Sequence, residues 1–110
     1  MLKAIRRMQR AQRLRMQNRK KAVAWWEKVA EKEDAYAQYN VGLRYEIGKG
    51  VEQSDSMAIQ WYTKAADQGH AEGQSNLGFS YDRGEGVEKD LEEAARLYRL
   101  AADQGHARAQ

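Results

Sequence analysis

The 110 residues predict an all-α fold built from repeated helix pairs, on three observations. Residues 35–70 and 71–106 align without a gap at an offset of 36, with 17 of 36 positions identical. Within each copy, apolar and small residues recur at spacings of three and four, the helical period. Proline is absent, which suits helices better than a sandwich or barrel with many turns. Cysteine is absent too, which excludes a disulfide scaffold, a thiol nucleophile and a cysteine-based zinc site. No run approaches the ~18 apolar residues of a membrane span.

The chain opens on a basic arm, residues 1–21, with nine Lys/Arg and no acid. The other residues hold ten basic and 16 acidic side chains, a balance of −6, so the pI near 9.2 belongs to the arm. On a helical wheel, Met1, Leu2, Ala4, Ile5, Met8 and Ala11 fall in one half. Lys3, Arg6, Arg7, Arg10 and Arg13 fall in the other. Three uses fit this pattern. The arm can replace a missing first helix, covering the helix at 22–33 near Trp25 or Trp26. It can be an arginine-rich organelle presequence, against which stands the absence of serine. It can bind a polyanion, RNA or an anionic membrane surface, through Lys3, Arg6, Arg7, Arg10 and Arg13, more weakly as salt rises. It has no aromatic side chain to stack a base. No glycine or proline interrupts residues 1–34, so the arm can run on as helix, with Asn18 its weakest point.

Residues 22–34, AVAWWEKVAEKED, align with 58–70 and form the second half of a repeat. Trp25 then stands over Trp61, and Trp26 over Tyr62. Adjacent tryptophans cannot share one side of a helix, so one is expected in the core and the other partly exposed. Each full copy, 35–70 and 71–106, reads as two helices. The first carries Ala35, Gln38, Val41, Gly42 and Tyr45, matched by Ala71, Gln74, Leu77, Gly78 and Tyr81. A helical glycine costs ~1 kcal/mol relative to alanine. Its recurrence at Gly42 and Gly78 therefore predicts close approach of two helices. Loops follow at Gly48 and Gly50, then at Gly84 and Gly86, each ending in a valine. Asp90 and Glu93 form a capping-box pattern for the next helix. Ser54 or Asp55 does this in the first copy, more weakly, because Met57 replaces the glutamate. The second helices carry Ala58, Trp61, Tyr62, Ala65 and Ala66, then Ala94, Leu97, Tyr98, Ala101 and Ala102. Gly69 and Gly105 are expected to close them as C-terminal caps. Residues 107–110 begin a further copy.

The pattern A-x-x-Q-x-N-[VL]-G-x-x-Y-x-x-G-x-G-V, followed by A-x-x-[WL]-Y-x-x-A-A-D-Q-G, resembles the Sel1-like repeat. That is a helix–loop–helix unit related to tetratricopeptide repeats. The resemblance covers 35–106 fully and 22–34 and 107–110 in part. Glu52 and Glu88 stand where the family often has proline. The resemblance implies a short right-handed α-solenoid, here behind the basic helix, and an adaptor or scaffold role; a cytoplasmic location is expected. A mitochondrial location is the alternative that the arm raises. The resemblance also implies an inner face carrying Tyr36, Tyr39, Leu43 and Glu46 in one copy and Glu72, Ser75, Phe79 and Asp82 in the next. Aromatics beside acids suit peptide binding. The plainer reading gives Tyr39 and Phe79 to packing between units.

One unit cannot bury its apolar face alone. The last helix is therefore expected to show apolar surface around Leu97, Leu100 and Ala101, open to a second copy or another protein. His70 and His106 recur with Asp67 and Asp103. The expected role is a repeat element, the imidazole capping carbonyls or lying in solvent, and not a metal or catalytic site. No Ser/His/Asp triad or HExxH appears, and the glycine loops follow helices rather than strands, unlike a phosphate cradle. No enzymatic activity, cofactor or metal is expected.

Overall fold

The computed structural model describes the backbone of residues 2–109 and the side chains of residues 2–105. Among the described residues there are five α-helices and no strand. They are α1 (Leu2–Glu31), α2 (Ala35–Ile47), α3 (Asp55–Asp67), α4 (Ala71–Arg83) and α5 (Leu91–Ala109). Each helix packs on the next, and the hairpins α2–α3 and α4–α5 make the broadest contacts. The molecule is elongated, 58 × 27 × 26 Å.

The repeated residues have repeated tasks. A Cβ added at Gly42 would lie 2.6 Å from the Tyr62 ring, and one at Gly78 would lie 3.2 Å from the Tyr98 ring. The helix glycines thus seat the aromatic ring of the partner helix. Buried Gln38 donates to the Ala30 carbonyl (3.2 Å) and accepts from Gln68 (2.8 Å). Thirty-six residues on, Gln74 donates to the Ala66 carbonyl (3.3 Å) and accepts from Gln104 (2.9 Å). Each of these carbonyls, near a helix end, also accepts a backbone N–H from the following turn, that of Glu33 at 3.1 Å and that of Gly69 at 2.9 Å, so the amide is a second donor that ties the next helix to it. Ser54 Oγ accepts from the Met57 N–H at 3.1 Å and Asp90 Oδ1 from the Glu93 N–H at 3.0 Å, so both second helices are capped. The expected capping box is only half formed: the Glu93 carboxylate pairs with Arg96 instead of turning back to Asp90.

Two linked clusters make the core. Ala30, Ala37, Val41 and Trp61 join α1, α2 and α3. Ala58, Tyr62, Ala66, Leu77 and Leu97 join α3, α4 and α5.

Three expectations need correction. Gly105 does not cap a helix, because α5 runs on to Ala109. The reversal after Gly69 (φ 84°) is held by α4 returning along α3, and no described helix returns along α5. Leu97 is not at an open end. It is 2% exposed and packs in one cluster with Leu77, leaving Leu91, Tyr98 and Leu100 as the exposed large apolar side chains of α5 among the described residues.

The third correction concerns the arm, which does not fold back as a separate covering helix. It is the first part of α1 and passes through Asn18 unbroken. The loop contacts fix its register. Gly50 (φ 86°) sits so close to α1 that a Cβ would meet the Arg19 carbonyl oxygen at 2.7 Å; Gly86 meets that of Asp55 at the same distance. Arg19 therefore holds the place that opens α3, and Asn18 the place of its cap, Ser54. Residues 2–17 are rich in Ala, Leu, Met, Arg and Gln, all strong helix formers, so the helix extends past its repeat start. The added turns, residues 2–18, project about 25 Å. Apart from half-buried Ala11 their side chains are exposed, Leu2, Ile5, Met8, Leu14 and Met16 included.

Candidate functional site

Aromatic rings form a row from α1 to α3. Trp25 and Trp26 stand edge-on at 5.2 Å, and Trp26 meets Tyr36 at 5.8 Å. Tyr36 lies 6.5 Å from His70, His70 lies 5.0 Å from Tyr39, and Tyr39 lies 6.0 Å from Tyr62. Such centroid distances are those of interacting rings. Tyr36 and Tyr39 are three residues apart on α2 and so share a face. Trp25 and Tyr36 remain 59% and 57% exposed.

His70 enters the row because it caps α4. Its Nδ1 accepts the Gly73 N–H at 3.0 Å, as Asp34 Oδ1, one repeat earlier, accepts the Ala37 N–H at 2.9 Å. The imidazole thus serves amide donors at a helix start and not carbonyls. Its Nε2 is 3.5 Å from Glu72. His106 lies outside the described side chains.

Carboxylates border the rings. The Tyr62 hydroxyl donates to Glu46, and burial followed by that bond holds its pKa far above the ordinary 10.0. Tyr39 is also pushed up, first by burial and then by the charges of Glu72 and Glu46. Both acids therefore act on one ring. Beyond Tyr39 the face opens into a groove of about 450 Å³ lined by Tyr39, Glu72, Ser75, Asn76, Tyr98 and Ala101, among others.

The residues named from sequence thus divide. Tyr39, Glu72 and Ser75 share the groove, and Tyr36 reaches it through His70. Glu46 is exposed but engaged by Tyr62. Leu43 packs on the core. Phe79 is exposed beneath the Arg83 guanidinium at 4.4 Å. Exposed Asp82 stands beside Tyr98, whose hydroxyl is raised by burial and then by Asp82. Lys3, Arg6, Arg7, Arg10 and Arg13 are all exposed, remote from these rings on the arm. Sequence reasoning missed Trp25, Trp26, His70 and Tyr62 as members of the row. The signal for the tryptophans was the alignment of 25 and 26 with 61 and 62. His70 hid because histidine is not a common cap. Among the described residues, no three His, Asp or Glu side chains gather to hold a metal ion. No described helix is long and apolar enough to cross a membrane.

Antiparallel helix pairs stacked in register, with repeated glycine contacts and glutamine bridges, define an α-solenoid of helical hairpins. The Sel1 repeat profile matches residues 14–34, 35–70 and 71–106, and the chain belongs to the Sel1 repeat family. Members of this family are generally protein-interaction scaffolds. No curated protein matches the chain. Among solved structures it is similar to a Sel1 repeat protein from Oxalobacter formigenes, with 41% identity and a TM-score of 0.77 over 82% of this chain and 37% of that one. It is similar to a protective antigen of uropathogenic Escherichia coli strains displaying an SLR fold, with 38% identity and a TM-score of 0.77 over 78% and 18%. It is also similar to cysteine rich protein B of Helicobacter pylori, with 28% identity and a TM-score of 0.74 over 77% and 64%. The chain thus spans less than two thirds of each of these relatives.

Proposed function

We propose that this chain is a non-enzymatic interaction module that holds a segment of a partner protein along the α2–α4 face. The carrying observation is the exposed part of the aromatic row, Trp25 and Tyr36, leading through His70 to the groove at Tyr39 and Glu72. Exposed aromatic side chains held rigid by their neighbours are the usual anchors of binding energy. Family membership supports a scaffold role. The test is affinity capture with Tyr36→Ala and Glu72→Ala. Both side chains are exposed, so the fold is expected to survive while capture is lost. Tyr39→Ala is less suitable, because Tyr39 also packs on the core. Capture unchanged in both variants contradicts the proposal.

A further inference from the structure

The arm carries a stripe that nothing covers. Eighteen residues make five whole helical turns. Ile5, Met8 and Ala11 therefore stand in line with Val23, Trp26 and Val29, which pack in the body of the repeat. The arm repeats, in exposed form, the face by which α1 docks on protein. Cations border the stripe on both sides. Arg7 flanks Met8 and Ala11 along one edge, Arg13 flanks Gln12 and Met16 along the other, and Arg15, one turn beyond Ala11, closes the stripe at its inner end.

This geometry excludes two occupants. The arm is continuous with the rest of α1 and ends about 25 Å beyond Arg19, so it cannot turn back into its own groove. A flat bilayer is disfavoured as well. The stripe faces the same side as the body, so a plane that touched Ile5 and Met8 would run into the body.

A groove on a second copy has the matching chemistry. It offers aromatic faces at Tyr36 and Tyr39 with Glu72 and Glu46 beside them. The protein already places cations over rings, Lys64 over Trp61 and Arg83 over Phe79, each at 4.4 Å. The arm bears nine cations and no acid, and the remainder of the chain is net −6. We propose that the basic helix of one copy lies in the aromatic, acid-edged groove of a second copy. Its apolar stripe meets the rings, and Arg7, Arg13 and Arg15 meet the carboxylates. This is helix-in-groove recognition. It rests on the groove reading above and names the ligand class as a cationic amphipathic helix. Because arm and groove are different surfaces, the contact is heterologous and leaves one of each free in a dimer.

The test is sedimentation of the full chain at low and high salt. The variants are an arm triple, Arg7→Glu with Arg13→Glu and Arg15→Glu, and a groove pair, Tyr36→Ala with Glu72→Gln. All five positions are exposed, so folding is preserved. The wild type is expected to associate at low salt and to weaken as salt rises. Each variant alone is expected to associate about tenfold more weakly or not at all. An equimolar mixture of the two variants is expected to form dimers and nothing larger, since only one productive contact remains. A wild type that stays monomeric at low salt overturns the proposal, as does a groove variant that associates like the wild type. So does an arm that binds RNA or anionic vesicles while ignoring the groove. If the arm triple still captures a partner protein through Tyr36 and Glu72, the groove function stands without this inference.

Discussion

Helix α1 contains two halves with one pattern and two fates. From Arg19 to Glu31 its face is covered by α2 and the Gly50 loop, and Val23 and Ala30 are each 1% exposed. From Leu2 to Asn18 the same face is bare, with Ile5 47% and Met8 63% exposed. Periodicity therefore says which side of a helix is apolar but not which stretch has a neighbour. The loop glycine decides that, because its close approach to the Arg19 carbonyl marks where the repeat begins.

The sharpest way to break this contrast is at that glycine. Gly50→Ala places a side chain 2.7 Å from the Arg19 carbonyl at a φ of 86°. It is expected to cost about 3 kcal/mol in denaturant unfolding, by strain and overpacking together. Next comes a matched pair five turns apart. Val23→Ala is expected to cost about 2 kcal/mol by leaving a cavity. Ile5→Ala is expected to change monomer stability by less than about 0.5 kcal/mol, as exposed sites do.

Alkaline titration extends the contrast, because the arm has no tyrosine. Tyr62 has a folded pKa raised above its unfolded value of 10.0. The native state thus keeps a proton that the unfolded chain releases. Its stabilisation is complete below pH 10 and is lost as pH rises beyond it, at up to about 1.4 kcal/mol per pH unit for one proton. Tyr62→Phe is expected to flatten that fall in a stability–pH curve. A modest effect of the opposite sign is expected at the end of α1. Glu33 takes φ 66° where its counterpart Gly69 takes 84°. Glu33→Gly is expected to raise stability by about 1 kcal/mol, read as a higher unfolding midpoint.

Much of the fold was legible because the repeat is written twice. Gly42 with Gly78 and Ser54 with Asp90 each announced a structural task by recurring. The helix pairs and the family followed. The start of the repeat part of α1 was not legible. Asn18 stands where Ser54 caps α3, but the helix-forming residues before it override that cap. Gly105 misled for the opposite reason. Its sequence matches Gly69, but the left-handed turn at Gly69 depends on a returning helix. The site was half legible. Tyr36, Tyr39 and Glu72 came from the family face. The alignment placed one tryptophan in the core and the other partly exposed, as Trp26 and Trp25 are, but their ring contacts, and those of His70, came only from the structure, because contacts between helices leave no mark in spacing.

The most direct measurement is hydrogen exchange along α1 in dilute, monomeric protein. Amides from about residue 22 to Glu31 are expected to be strongly protected, and those of the arm to exchange quickly, with the break near Arg19. Raising the concentration at low salt is then expected to slow exchange in the arm and around Tyr36 and Tyr39 together. Uniform protection along all of α1 in the monomer would contradict the account, because it would mean that the arm is already covered by its own chain.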